Sequence, residues 1–375
     1  MTKDLFCPMI HGGLNINLKK SQDLIEYNQC CLSSMPFETI TTGENFWQSK
    51  NLTELRKSND LNQWNTGCWE CQRNEAAGGS SFRLDMIKKL GVHRNLTGPQ
   101  RIDLLFDRSC NLACRTCGPE SSTFWQQHLK ENNVSNVRLN NTTNFEKILR
   151  ILKSIDLSNV EVIQFCGGET LMGNTYWRTA EAIAELIPNA KEKVTLGFQT
   201  NGTQTIDQRQ FDIIEKFHLV KILVSLDGIG EHFNYMRWPA DWNQVTDNIL
   251  TLREQLPVNV MFIVQETLSS LNLFYCDEVT TWVKNNFSTN RLGDPTDYAR
   301  QLAMHNHLNV NNITEKYYNA MVNKGLQNLI RPNWQENPVS IKLMLREIEK
   351  YDSFRNQNWQ QVFPEVADFY SDYLR

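Results

Sequence analysis

Cys110, Cys114 and Cys117 stand at C-x3-C-x2-C within Asp107-Arg108-Ser109-Cys110-Asn111-Leu112-Ala113-Cys114-Arg115-Thr116-Cys117-Gly118-Pro119. Three thiolates on one short loop can ligate three irons of a cubane iron–sulfur cluster, because such clusters are held by soft cysteine sulfur. The fourth iron is then free for another ligand. Structural zinc is the competing reading, but zinc usually takes its cysteines as C-x2-C pairs and closes with four ligands. No further cysteine or histidine follows the triplet within ten residues. The chain has 10 cysteines, so a chance pair would carry no weight.

A second group of cysteines lies earlier. It comprises Cys7, the doublet Cys30-Cys31, and Cys68 and Cys71 at C-x2-C, followed by Glu75 and Gly78-Gly79-Ser80-Ser81. Cys68 and Cys71, with Cys7 and one of Cys30 or Cys31, would supply four thiolates. That set suits a closed zinc site or a second, fully ligated four-iron cluster. The surplus cysteine of the doublet reads as a spare ligand or a buried thiol.

From Gln100 onward the pattern alternates between short apolar runs and amphipathic stretches. The runs 101–106, 160–165, 193–199, 220–226 and 258–264 read as strands. Between them, 120–131, 144–154, 175–187, 207–217, 242–255 and 271–286 read as helices, with Phe145, Ile148, Leu149 and Leu152 forming a helical stripe. Near-continuous apolar strands alternating with such helices predict a parallel sheet covered by helices. A sixth strand is expected within 302–310. Residues 1–98 read as mostly irregular, apart from a short helix over 51–64 carrying Leu52, Leu55, Leu61 and Trp64. Residues 314–327, 339–351 and 359–373 read as helices rich in aromatics, forming a cap.

In a parallel sheet, ligands gather where strands end and loops begin. The triplet follows the first such strand. Four further stretches fall at or just past later strand ends: Cys166-Gly167-Gly168-Glu169, Gln199-Thr200-Asn201-Gly202, Ser225-Leu226-Asp227-Gly228 and Tyr235-Met236-Arg237. Gly167 and Gly168 permit close backbone approach, while Glu169 can accept from an ammonium group. Arg237 can clamp a carboxylate in bidentate fashion, and Asp227 or Ser225 can bond hydroxyls. Cys166 reads as a small buried hydrophobe, and His305 and His307 as surface residues.

These five stretches, in this order over about 100–287, resemble the radical S-adenosylmethionine (SAM) superfamily. The resemblance implies a partial (βα)6 barrel with an N-terminal cysteine-rich module and a C-terminal helical extension. It also implies a 4Fe-4S cluster on Cys110, Cys114 and Cys117, and SAM bound with help from Gly167, Gly168, Glu169, Asn201, Ser225, Asp227 and Arg237. Thr116 departs from the pattern, since the family usually places an aromatic residue there. The earlier cysteines resemble the SPASM and twitch auxiliary-cluster modules, which usually follow the core and here precede it. The implied division is 1–98 for that module, 99–290 for the core and 291–375 for the extension. The implied activity is reductive cleavage of SAM to a 5′-deoxyadenosyl radical that abstracts hydrogen from a peptide, protein or small-molecule substrate. The electron would come from a donor such as flavodoxin or ferredoxin.

With 38 Lys and Arg against 42 Asp and Glu, the net charge is −4, which gives no overall electrostatic signal for nucleic acid or anionic membranes. No apolar run approaches the roughly 18 residues of a spanning helix, so a cytoplasmic protein is expected. Two rival classes stay open at this level: a zinc-stabilised binding protein, and a radical enzyme whose first region holds structural zinc.

Overall fold

The computed structural model describes residues 4–18, 24–41, 46–76, 79–134, 144–287, 297–303, 307–330 and 334–374. Gly78, His305 and the expected boundary near 290 lie outside the described residues. The chain divides into two compact units. One comprises 1–109, 140–198 and 207–221, and the other 110–139, 199–206 and 222–375.

The described residues form nine strands, which alternate with helices from β4 onward: β1 (Gly13–Asn17), β2 (Leu24–Asn28), β3 (Glu38–Thr41), β4 (Arg101–Asp107), β5 (Val162–Gly167), β6 (Thr195–Thr200), β7 (Leu219–Ser225), β8 (Val260–Leu268) and β9 (Asp297–Leu302). In the first unit the neighbours run β3-β2-β1-β4-β5-β6. There β4 pairs in parallel with β1 and with β5, and β5 with β6, while β2 is antiparallel to β1 and β3. In the second unit β8 and β9 pair in parallel over Ile263–Leu268 and Asp297–Leu302. The result is a mostly parallel α/β sheet with helices, as the alternation predicts.

β4 shows why these runs become strands. Ile102, Leu104 and Phe106 are buried on one face, and the Phe106 ring lies 4.5 Å from Tyr176 on the following helical layer. Amphipathic helices cover that face. Phe145–Lys153 buries Ile148, Ile151 and Leu152 and starts at Asn144, whose side chain accepts from the Glu146 amide.

Four expectations are corrected. Residues before 98 are not mostly irregular: they form β1–β3 and helices at Lys50–Asp60, Trp69–Ala76 and Phe82–Leu90. The segment Leu14-Asn15-Ile16-Asn17 alternates as a strand should, but its asparagines are buried too, with Asn15 donating to Asn28 and Asn17 to Glu26. The sixth core strand is β9, ahead of the expected range, because its polar Tyr298-Ala299-Arg300-Gln301 stretch hides it, whereas Leu308 and Val310 fill the core outside a strand. The last expected helix is broken into Trp359–Val362, Pro364–Phe369 and a final short turn. Pro364 excludes helical backbone at Phe363, which sits at φ −123° and ψ 64°. Leu61 is also solvent-exposed rather than packed.

The aromatic tail does form a cap within the second unit. Tyr317, Trp359, Phe363 and Tyr370 pack in one apolar cluster with Tyr235, Met236 and Leu268. The cap therefore rests on the segments that follow β7 and β8.

Candidate active site and cysteine cavity

Within the second unit, the loop carrying the triplet is fastened at both ends. Ala113 donates from its amide to Trp238 O at 2.8 Å, and Arg115 to Met236 O at 2.7 Å. Trp125 Nε1 donates to Cys114 O, and Thr123 Oγ1 accepts from the Cys110 amide. Ala113, Trp125 and Leu129 are buried beneath this loop, with Cys117 and Trp238 packed against them. Burial pushes the Cys114 and Cys117 thiols up, and Cys117 is raised further by its neighbours Cys114 and Cys110. The three sulfurs thus stand together. Protons must leave them before metal binds.

The motifs after β6 and β7 meet the same loop. Asn201 Nδ2 donates to Asn111 Oδ1 at 3.0 Å and lies 3.8 Å from Cys110 Sγ. Asn201 is therefore part of the loop's support as well as of a turn. Gly202, at φ +79°, lies where a Cβ would come within 2.9 Å of Val245. Arg237 places Nη1 3.9 Å from Cys114 Sγ and Nη2 2.8 Å from Asp227 Oδ2.

Asp227 is fully buried and already committed. Its Oδ1 accepts from the Thr267 amide at 2.8 Å, and its Oδ2 takes Arg237 and the Thr116 hydroxyl, the latter at 3.5 Å. It therefore orients Arg237. Thr116, the position that departs from the family pattern, serves that same carboxylate. Ser225 closes β7 and is buried, and Arg237 Nε has no partner among the described residues.

The Gly-Gly-Glu motif is built inside the first unit. The Gly168 amide donates to Asp107 O and the Glu169 amide to Ser109 O, so the motif folds onto the end of β4. A Cβ on Gly168 would sit 2.2 Å from Ser109 O, and one on Gly167, at φ +136°, 2.1 Å from Asp107 O. Only glycine fits this approach. Glu169 is fully buried, and its Oε1 accepts from the Leu171 amide. Cys166, read as a small buried hydrophobe, is half-buried, and burial first, then Asp103 and Cys31, raises its thiol, which keeps it protonated and unreactive.

The earlier cysteines, also in the first unit, line one small cavity of about 30 Å³. Cys7, Cys30, Cys68 and Cys71 face it, with Gln29, Asn59 and Arg83. Cys31 is exposed and absent from the lining, so the doublet contributes Cys30. Burial pushes the Cys7 thiol up to about 12, with smaller contributions from Cys68 and Cys71. Burial likewise raises Cys68 to about 11. Arg83, buried and paired with Glu75 at 2.6 Å, brings a cation to Cys7 and Cys71. The sequence pattern marked Glu75 but gave no signal for Arg83. Among the described residues, no three His, Cys, Asp or Glu side chains converge to hold a single metal ion. Replacing Cys30 by alanine is expected to abolish metal retention here while Cys31→Ala leaves it intact, as read by metal content per chain; the reverse pattern would reassign the ligand.

Residues 104–270, which hold the three-thiol loop and the strand-end motifs, match the family model described as the Radical SAM superfamily. That match supports a radical SAM enzyme, and the α/β sheet is consistent with the expected partial barrel. Among solved structures, the chain is similar to native anSMEcpe with bound AdoMet, at 16% identity over 69% of this chain and 62% of that one, with a TM-score of 0.39. It is also similar to Streptococcus suis SuiB bound to S-adenosylmethionine, at 13% identity over 93% and 75%, with a TM-score of 0.39. The chain thus spans less than two thirds of the length of the anSMEcpe structure. Comparison with curated proteins found no match. No helix among the described residues is long and apolar enough to cross a membrane.

Proposed function

We propose that the protein is a radical SAM enzyme with a 4Fe-4S cluster on Cys110, Cys114 and Cys117, acting on a peptide, protein or small-molecule substrate. The observation that carries this is the fastened three-thiol loop with Arg237 3.9 Å from Cys114 Sγ. When bound, the cluster and SAM supply a one-electron cleavage that yields a 5′-deoxyadenosyl radical able to abstract hydrogen from carbon. The protein's own residues bind and orient. Arg237, held by Asp227 and with Nε unpartnered, takes the SAM carboxylate. Glu169 accepts from the SAM ammonium, the Gly167-Gly168 backbone gives it room, and Ser225 takes a ribose hydroxyl. A flavodoxin- or ferredoxin-type donor supplies the electron.

The second element of this reading is a further 4Fe-4S cluster in the Cys7, Cys30, Cys68 and Cys71 cavity, making the first region an auxiliary-cluster module. Cys7, Cys30, Cys68 and Cys71 line one cavity, and four thiolates are the set that a fully ligated four-iron cluster takes. The resemblance of this cysteine set to auxiliary-cluster modules favours iron–sulfur over structural zinc. The test is anaerobic incubation of reconstituted protein with SAM and dithionite. It should release 5′-deoxyadenosine and methionine, and Cys114→Ala should release neither. Product formation by Cys114→Ala would sink the assignment.

A further inference from the structure

Two arginines behind the three-thiol loop have no assigned role. Arg115, within the loop itself, has no solvent exposure, and Arg355, on the last turn of helix Pro338–Arg355, is 8% exposed. Arg115 Nη2 donates to Asp352 Oδ1 and to Gln357 Oε1, and its guanidinium stacks 4.1 Å from the Tyr235 ring. The Arg355 guanidinium lies 4.4 Å from Trp125 and 4.7 Å from Trp238, and its Nε donates to His128 Nε2 at 3.3 Å. Trp125 in turn holds Cys114 O, which places this layer directly behind the central cysteine.

The charges in this layer do not balance within the protein. Asp352 is already shared among Arg115, the Tyr235 hydroxyl and the Trp359 amide. Among the described residues, Arg115, Arg237 and Arg355 have Asp227 and Asp352 as buried carboxylates, three cations against two anions; Glu266, beside Asp227, is paired with Arg300, and Glu347 nearby is partly solvent-exposed. His128 and His307 add no anion and are held neutral, mainly by burial. Nε and Nη1 of Arg115 and both Nη atoms of Arg355 are buried without a hydrogen-bond partner among the described residues. Ring stacking satisfies the faces of a guanidinium but not its in-plane N–H groups. A buried donor left unpaired is costly, so this arrangement calls for an anion nearby. Arg355 is close enough to Cys114 to favour its thiolate.

We propose that Arg115 and Arg355 form a buried cationic seat behind Cys114 that sets the reduction potential of the cluster on the three-thiol loop. This rests on the cluster assignment made above. A four-iron cluster on three thiolates is a net anion whose negative charge grows by one on reduction, so buried cations favour the reduced form. One electron enters from the donor, dithionite in the test, and no bond changes. Asp352 opposes the effect and holds Arg115 in place. These are positioning residues, since neither is assigned a contact with substrate or SAM.

The test is a redox titration of the reconstituted full chain, following by electron paramagnetic resonance the reduced-cluster signal that added SAM perturbs. Arg355→Met should make one-electron reduction about tenfold less favourable, a midpoint about 59 mV more negative. Arg355→Lys should stay near the parent value. Asp352→Asn, which removes an opposing charge, should shift the midpoint the other way. Loosened packing would move both variants in the same direction, so opposite signs mark electrostatics. If the parent protein shows no SAM-perturbed signal, the cluster assignment itself fails. If it does and neither Arg355→Met nor Asp352→Asn shifts, or both shift alike, only the cationic seat is overturned. Where Arg355→Met does not take up iron, Asp352→Asn alone decides.

Discussion

A variant with Cys110, Cys114 and Cys117 all replaced by alanine is expected to retain about four irons per chain where the parent protein holds about eight, after anaerobic reconstitution. The three thiols stand on one loop with its own supports, and a different set of cysteines, Cys7, Cys30, Cys68 and Cys71, lines the cavity. Removing one site should therefore leave the other loaded. The loop is fastened by backbone bonds from Ala113 and Arg115 that do not involve the thiols, so alanine there should not unfold it. Iron, sulfide and zinc measured together discriminate the readings. About four irons and one zinc in the parent would keep the radical enzyme but turn the first region into a zinc module. Zinc without iron would return the chain to a binding protein, and loss of all iron in the variant would mean that the two sites are not independent.

The core strands were legible because their buried positions are apolar. Ile163 and Phe165, or Val220, Ile222 and Val224, are buried at alternating positions with half-buried residues between them, and they leave a plain apolar signal in the sequence. β1 and β9 were not, because polar residues share the buried positions of β1 and dominate β9. Asn15 and Asn17 are buried through side-chain partners on β2, and Arg300 of β9 reaches Thr280 and the Cys276 carbonyl. Polar satisfaction of this kind depends on which strand lies alongside, and that is not written locally.

The candidate site divides in the same way. The cysteine triplet and the glycine pair could be read from spacing, because their chemistry requires those residue types adjacent in sequence. Asp227 looked like a ligand contact, yet both its oxygens are taken by Thr267, Thr116 and Arg237. The Arg115–Asp352 pair joins residues 237 positions apart, and no periodicity announces it. Function in this protein thus rests on a local motif whose electrostatic surroundings are assembled from distant segments.

The pair Arg237 and Asp227 should show that dependence most directly. Asp227 has no exposed side-chain surface and Arg237 has 10%, with 2.8 Å between Nη2 and Oδ2. Arg237→Ala leaves a buried carboxylate facing only the Thr267 amide and the Thr116 hydroxyl. Truncating one partner of such a pair costs about 3–5 kcal/mol, far more than the pair itself contributes relative to neutral groups. The metal-free variant should therefore unfold at clearly lower denaturant, and Asp227→Asn/Arg237→Ala should recover a large part of the loss because no charge is then left unpaired. Any Arg237→Ala protein that folds should also bind SAM weakly once reconstituted, since the proposed carboxylate clamp is gone. Unchanged stability in Arg237→Ala would mean that Asp227 finds another partner. A double variant no more stable than Arg237→Ala would show that packing around the guanidinium, rather than its charge, holds this segment against the three-thiol loop.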